Sequence, residues 1–144
     1  RAIGRIRMRR IRDSSAESLL PFVQEAILPG SGIVTDGLPT YLGLPGLGYR
    51  HERKVIRGSD DPAHVMPRVH RVASLLDRWW LGTYQGAIRR EHLDYYLDEF
   101  TFRFNRRTSR SRGKLFYRLL QQAVAITPLP YQALVSGRRD NNRS

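Results

Sequence analysis

The chain has 144 residues, enough for one domain with a buried core, and 40% of them are hydrophobic. Its 25 lysine and arginine residues against 13 acidic residues leave a formal charge of +12, which favours a polyanionic partner, nucleic acid first. The absence of cysteine excludes disulfides, thiolate zinc sites and cysteine nucleophiles.

The basic residues are almost all arginines, with Lys54 and Lys114 the exceptions. A planar guanidinium suits bidentate contact with phosphate better than an ammonium does. The alternative is that arginine richness only mirrors genome base composition. No apolar run approaches the roughly 20 residues that cross a bilayer, and no leader segment is evident. We therefore expect a cytoplasmic protein with no membrane contact.

The first predicted element lies in residues 2–11. Apolar Ile6 and Met8 alternate there with Arg7 and Arg9, as expected for a strand with one buried face. The segment predicts the first strand.

An amphipathic helix is predicted next, with Ser14 and Glu17 as a capping box and an end near Leu28. Pro21 complicates its start, because a proline in a helix interior removes a hydrogen bond and clashes with the preceding turn. The alternative is that the regular part begins at Ser18, which would leave the proline in the first turn.

A β-branched run at residues 33–35 predicts a short strand that stops at Asp36 and Gly37. Residues 38–47 predict one or two helical turns, and residues 49–56 a second, more polar strand. The carboxylate of Asp36 is therefore expected at the C-terminal end of the strand at residues 33–35.

A loop is predicted at residues 58–62, and a strongly amphipathic helix follows Pro67. Gly82 and Gly86 are expected to end it. Its apolar stripe consists of Val69, Val72, Leu75, Leu76, Trp79 and Trp80.

A second long helix is predicted at residues 89–105, with Leu93, Tyr96, Leu97, Phe100 and Phe104 on one stripe. A Ser/Arg loop at 108–113 and a third helix at 114–125 follow. The element order predicts one α/β domain over residues 1–126, its sheet flanked by helices and its C-terminal part mostly helical. Residues 127–144 form an extension that we expect to be disordered at least from 136.

Asp36 is the first candidate site residue, since α/β sheets commonly present ligands at the carboxyl edge of their strands. The alternative is that it only caps the following turn.

His70 is the second candidate. It shares a polar helix side with Ser74, Asp77 and Arg78. The alternative is a partly exposed histidine with no special task. The other histidines show no compact zinc spacing with it, and we expect no zinc site.

A basic cluster spans a predicted helix-loop-helix corner and could grip DNA phosphates. Helix C-termini also favour cations through the macrodipole, which accounts for part of the cluster without a ligand. The nearby aromatic residues are expected to be core residues more than base-stacking platforms. The cluster consists of Arg103, Arg106, Arg107, Arg110, Arg112, Lys114 and Arg118.

The stretch VASLLDRWWLGTYQG, followed by HLDYYLDEFTFRFNRR, resembles the C-terminal region of DDE-type insertion-sequence transposases of the ISXO-like group. The segments GRIRMRRIRDSSAESLLPFVQEAI and PGSGIVTDGLPTYLGL are similar to the middle region of the same family, in the same order. The resemblance covers about residues 1–124.

The resemblance implies a ribonuclease-H-like fold, truncated at its N-terminus, and metal-assisted phosphoryl transfer with Mg²⁺ or Mn²⁺. Asp36 matches the second acidic position and would bind the metal. His70 falls where many relatives carry Glu or Asn, although an imidazole binds Mg²⁺ poorly and would instead position a phosphate or move a proton. Asp77 stands where relatives have a basic residue, and Arg78 would substitute for it. The first catalytic Asp has no counterpart, so we expect the chain to be inactive alone.

The partners implied are double-stranded DNA, as element ends and target, and further copies of the protein assembled on it, in a bacterial cytoplasm at the nucleoid. A second hypothesis is a non-catalytic basic DNA-binding fragment or relic of a transposase. A third, an RNA-associated basic protein, is disfavoured by the extent of the resemblance.

Overall fold

The computed structural model describes residues 2–55, 65–85 and 87–136. The chain forms two compact units. The first contains Arg1–Ile3 and Arg9–Ala87, and the second Gly4–Met8 and Ile88–Ser144. Helices and one small sheet make up the regular structure of the described residues, which is compatible with the predicted α/β class.

Helix α1 spans Ala16–Ala26 and opens the first unit. Its N-cap is Ser15, whose hydroxyl accepts a hydrogen bond from the Ser18 N–H at 3.3 Å. The predicted cap at Ser14 was therefore wrong by one residue, because Asp13 accepts from the Ser15 N–H and holds that residue at the helix start. Pro21 lies inside the helix, which ends at Ala26, before the predicted Leu28.

The sheet consists of two parallel strands, β1 at Gly32–Thr35 and β2 at Arg50–Arg53. Both strands were predicted, although β2 is shorter than residues 49–56. Ile33 pairs with His51, and Thr35 with Arg53. Between the strands, 3-10 turns at Pro39–Gly43 and Pro45–Leu47 confirm the predicted helical turns.

The core of the first unit forms between α1 and the 3-10 turns, with Ile33 of β1 packed against it. Val23 of α1 packs with Leu44 and Tyr49, and Leu44 is fully buried. The Tyr49 hydroxyl, beside β2, donates a hydrogen bond to the Ile27 carbonyl at 2.9 Å. This bond joins the end of α1 to the residue that precedes β2.

Helix α2 spans Pro67–Tyr84 and confirms the amphipathic helix predicted after Pro67. It continues through Gly82, so the predicted stop there was wrong. The helix ends when Gln85 adopts a left-handed conformation, with φ of 48°. The predicted loop at 58–62 and Gly86 lie outside the described residues.

The second unit contains a 3-10 turn at Arg90–His92, α3 at Leu93–Asn105, α4 at Arg112–Ala125 and α5 at Tyr131–Ser136. Burial of Leu97, Phe100 and Phe104 confirms the predicted apolar stripe. Helix α4 begins two residues before the predicted start, and residue 136 closes α5 instead of opening a disordered tail. The rest of that predicted tail, 137–144, lies outside the described residues. No helix in the described part of the chain combines the length and apolar character that crossing a membrane requires.

The strand predicted at residues 2–11 is absent from the structure, which gives this segment no regular secondary structure. The predicted alternation does hold, since Ile6 and Met8 are partly buried while Arg7 and Arg9 are exposed. The backbone of Ile6, however, pairs with a side chain: its N–H donates to Asn105 Oδ1 at 2.7 Å, and its carbonyl accepts from Asn105 Nδ2 at 3.0 Å. An extended chain held by one amide is not a strand, because a strand needs a neighbouring backbone.

We predict that Asn105→Ala destabilises the second unit. The substitution removes both hydrogen bonds to Ile6 and leaves two partly buried backbone groups without their partner, at a cost of about 1–3 kcal/mol in the free energy of unfolding. Chemical denaturation measures the change. Gln121→Ala, on the exposed side of α4, is the matched control and should change stability by less than about 0.5 kcal/mol. Equal effects of the two substitutions would contradict the role of Asn105.

We predict a loss of stability in acid that depends on Asp13. Hydrogen bonds from Ser15 and Ser18 hold the pKa of this carboxyl well below its ordinary value of 3.8. A lowered pKa in the folded state stabilises the protein above pH 3.8, and the stabilisation is lost as pH falls below that value. Asp13→Asn should therefore lower Tm near neutral pH but have a progressively smaller effect in acid.

Thermal melts from neutral pH to below pH 3.8 measure the difference in Tm between Asp13→Asn and the parent chain. Glu52→Gln is the control, since the Glu52 side chain is exposed on β2 and its carboxylate has no hydrogen bond within the described residues. A Tm difference between Asp13→Asn and the parent chain that stays constant with pH would refute the assignment.

Candidate functional site

Asp36 lies immediately after β1, at the carboxyl edge of the sheet, as predicted. Its side chain is exposed, and its Oδ1 accepts a hydrogen bond from the Leu38 N–H at 3.1 Å. The turn-capping role is therefore present in the structure. It leaves a solvent-facing carboxylate at the position where a sheet of this class presents its ligands.

Thr35 and His51 form a hydrogen-bonded pair behind Asp36 that the sequence analysis missed. The buried Thr35 hydroxyl donates to the Asp36 carbonyl at 2.9 Å and lies 2.8 Å from His51 Nε2. A hydroxyl has one proton to give, so its oxygen accepts from His51, which requires the hydrogen on Nε2. The pair fixes the backbone that carries Asp36. The sequence contained a histidine in the second predicted strand. Its contact with Thr35 depends on the register in which the two strands pair, which the sequence does not reveal.

Tyr41 lies near the same edge, on the first 3-10 turn, and packs against the core of the first unit. Burial raises the pKa of the Tyr41 hydroxyl, and the negative charge of Asp36 raises it further. The phenol thus stays protonated and able to donate a hydrogen bond close to the Asp36 carboxylate. The sequence offered no pattern that distinguished this tyrosine.

A metal site at the sheet edge would need more ligands than the described residues bring together. Among residues 2–55, 65–85 and 87–136, no group of three or more His, Asp or Glu side chains could hold a metal ion. The carboxylate of Asp36 fits as one oxygen ligand of a hard cation, but alone it does not make a site.

His70 lies in the first turns of α2 and is partly buried. The Ser74 hydroxyl donates to the His70 carbonyl at 2.9 Å and Arg78 Nε to the Ser74 carbonyl at 3.4 Å, both bonds to the backbone of the same helix. Within the described part of the chain, no hydrogen bond or ion pair joins Asp36 to His70. Their convergence stays a prediction.

The predicted basic cluster lies between the end of α3 and the first turns of α4, and we call it the basic corner. It consists of Arg103, Arg106, Arg107, Arg110, Arg112, Lys114 and Arg118. Three of its arginines have intramolecular contacts. Arg103 pairs with Glu99 one turn earlier at 2.8 Å. Arg106 stacks on the Phe102 ring at 3.8 Å from its centroid, and Arg107 on the Phe104 ring at 3.9 Å.

Arg107 is also bonded to the backbone, since its Nη1 donates to the Phe104 carbonyl at 2.8 Å near the C-terminus of α3. Arg103 and Arg107 thus interact with their own helix, as cations near a helix C-terminus commonly do. Their positions are explained without a ligand.

Three further cations of the basic corner have no acidic partner in the part of the chain that the structure describes. Arg110, Lys114 and Arg118 are exposed, and within the described residues none of them forms an ion pair. The side chain of Arg112, at the start of α4, lies outside the described part. The aromatic residues of α3 serve the core, as expected: Phe100 and Phe104 are buried and pack at 5.9 Å between ring centroids.

We predict that Thr35→Val releases the His51 ring. Valine has the shape of threonine but removes the hydroxyl that both accepts from His51 and donates to Asp36, so the fixed Nε2–H tautomer should give way to a mixture. The free energy of unfolding should fall by about 1–2 kcal/mol. Nitrogen-15 spectra of the imidazoles report the tautomer, and Thr83→Val, at an exposed position of α2, is the control. An unchanged His51 tautomer would show that the pair is not formed.

Comparison with known proteins yields one family. The model of the ISXO2-like transposase domain matches residues 1–105, which include β1, β2, α2 and the whole of α3. No curated protein matches the chain, and no solved structure matches it. Because the match covers well over half of the sequence, the chain belongs to the ISXO2-like transposase family.

Proposed function

We propose that the chain acts in the transposition of an insertion sequence by binding duplex DNA through its basic corner and contributing Asp36 to metal-dependent phosphoryl transfer. The observation that carries the proposal is the set of cations at the α3–α4 corner that form no ion pair within the described residues, Arg106, Arg110, Lys114 and Arg118. An uncompensated cluster on a chain of charge +12 favours a polyanion. Membership of the family makes DNA the polyanion.

Contacts to the DNA backbone are the main contribution expected from the basic corner. Guanidinium and ammonium groups neutralise phosphates and release condensed counterions, which makes affinity strongly salt-dependent. Such contacts orient DNA without reading its sequence. The corner would therefore hold the duplex in place, while sequence recognition would come from other contacts.

Asp36 is the proposed metal ligand, and Mg²⁺ or Mn²⁺ the proposed cofactor. When bound at such a site, divalent ions activate the attacking oxygen and stabilise the leaving oxygen of the phosphodiester. The described residues supply one exposed carboxylate at the sheet edge, so further oxygen ligands would have to come from outside them. His70 is proposed to orient a phosphate or transfer a proton, and Arg78 to contact the DNA.

The proposed fold for the domain is ribonuclease-H-like, which the parallel pairing of β1 and β2 supports. We further propose that several copies assemble on DNA, which would place them at the nucleoid.

A second candidate function is DNA binding without cleavage. The specific observation in its favour is that Asp36 caps its own turn and that the described residues contain no cluster of carboxylates around it. Two-metal phosphoryl transfer needs several oxygen ligands in a fixed geometry.

We predict that the chain binds duplex DNA with an affinity that falls by roughly 10²-fold between about 50 and 200 mM salt, as expected for about four phosphate contacts. Fluorescence anisotropy of a labelled duplex measures it. Weak binding that does not respond to salt would contradict the proposed role of the corner.

Nicking of supercoiled plasmid and of element-end DNA, with Mg²⁺ or Mn²⁺, separates the two candidates. Cleavage that Asp36→Asn abolishes, with DNA affinity unchanged, supports the catalytic role. DNA binding without cleavage in the parent chain supports the second candidate. Glu52→Gln, which removes an exposed carboxylate from β2, controls for the loss of one negative charge.

A further inference from the structure

A pocket lies at the basic corner, between the end of α3 and the first turns of α4. Three cations line it, Arg106, Lys114 and Arg118, together with the hydroxyl-bearing residues Thr108, Ser109 and Ser111. No acidic residue is part of its lining. The residues from 106 onward follow the end of the family match at residue 105, so nearly all of the pocket belongs to the part of the chain beyond it.

The charge of this pocket is uncompensated. Within the described part of the chain, none of its three cations forms an ion pair, and the exposed Lys114 and Arg118 have no hydrogen-bonding partner. Like charges held in one pocket repel each other, and a bound anion would remove that repulsion. The lining therefore fits an anion with more than one negative oxygen.

Arg106 is already oriented for such an anion. Its guanidinium carbon lies 3.8 Å from the centroid of the Phe102 ring, and a cation–π contact of this kind uses none of the N–H donors, which stay available to another partner. Arg106 is also partly buried, so its side chain loses less freedom on binding than an exposed arginine would.

The hydroxyls determine which anion fits best. Thr108, Ser109 and Ser111 are exposed, and their hydroxyls make no hydrogen bond within the described residues. Ser111 is the N-cap of α4, yet its side chain does not cap the helix. Three cations and three free hydroxyls exceed what a carboxylate with two oxygens can use, whereas a tetrahedral phosphate presents more acceptors.

We propose that this corner pocket binds a single phosphate group, supplied by the backbone of duplex DNA. The inference rests on the proposed function, from which it takes the source of the phosphate. It gives two roles within the basic corner: Arg106, Lys114 and Arg118 hold the phosphate, while Arg103 and Arg107, engaged with Glu99 and with the end of α3, stabilise the helix.

The test compares two double variants that lose equal charge. Lys114→Gln with Arg118→Gln removes two cations from the pocket, and Arg89→Gln with Arg90→Gln removes two exposed cations of the same unit that are not part of it. The pocket variant should bind duplex DNA about tenfold more weakly and lower the salt slope of log affinity by about 1. The control variant should lose less than about threefold at unchanged slope. Equal losses in the two variants would overturn the proposal.

Inorganic phosphate provides the second arm, on the free chain. Millimolar phosphate should shift the backbone amide signals of residues 108–114 in nitrogen-15 spectra of the parent chain, and not in the pocket variant. If the parent chain binds no DNA at any salt concentration, the proposed function fails, and a phosphate response alone overturns DNA as the source. If DNA binds equally well to the parent chain and the pocket variant, DNA as the partner stands and the pocket assignment fails. Tighter binding of a matched RNA duplex, lost in the pocket variant, would assign the pocket to RNA instead.

Discussion

Thirteen acidic side chains cannot neutralise 25 cations, and this shortage of acids shapes the surface of the protein. A few arginines obtain carboxylate partners, as Arg103 does with Glu99. Others use aromatic faces, since Arg106 and Arg107 stack on phenylalanines of α3. The helix thus provides core side chains and supports for guanidinium groups at once. Among the described cations that form no ion pair, Arg110, Lys114 and Arg118 follow α3 closely and are exposed, which leaves them available to a polyanion.

The sequence predicted the elements whose pattern is local. The helix α2 with its buried Val72, the burial of Phe100 and Phe104, and a carboxylate at the end of β1 follow from periodicity and β-branched runs, although Val69 of the predicted α2 stripe is exposed. It failed where the backbone finds a distant partner. Residues 2–11 alternate as a strand would, but the hydrogen bonds of Ile6 go to the Asn105 side chain. No pattern within ten residues can reveal that.

The candidate sites show the same division. The position of Asp36 could be read from the end of a strand, whereas the Thr35–His51 pair depends on parallel pairing between segments that only folding brings together. The basic cluster was visible as a run of arginines, but its division was not. Sequence spacing alone does not resolve which guanidinium stacks on a ring, which pairs with a carboxylate and which lines a pocket. These contacts depend on how the side chains of α3 and α4 are placed by the fold.

The hydrogen bonds between the Ile6 backbone and the Asn105 side-chain amide also constrain the order in which parts of the chain can fold. The second unit includes Gly4–Met8, close to the start of the chain, and everything from Ile88 onward. During synthesis, the early segment therefore has to wait until α3 has left the ribosome before its backbone can be satisfied. Closing a loop of this length is entropically costly and slows the final step. The first unit, whose helix and paired strands lie within some forty consecutive residues, can form while the rest is still being made.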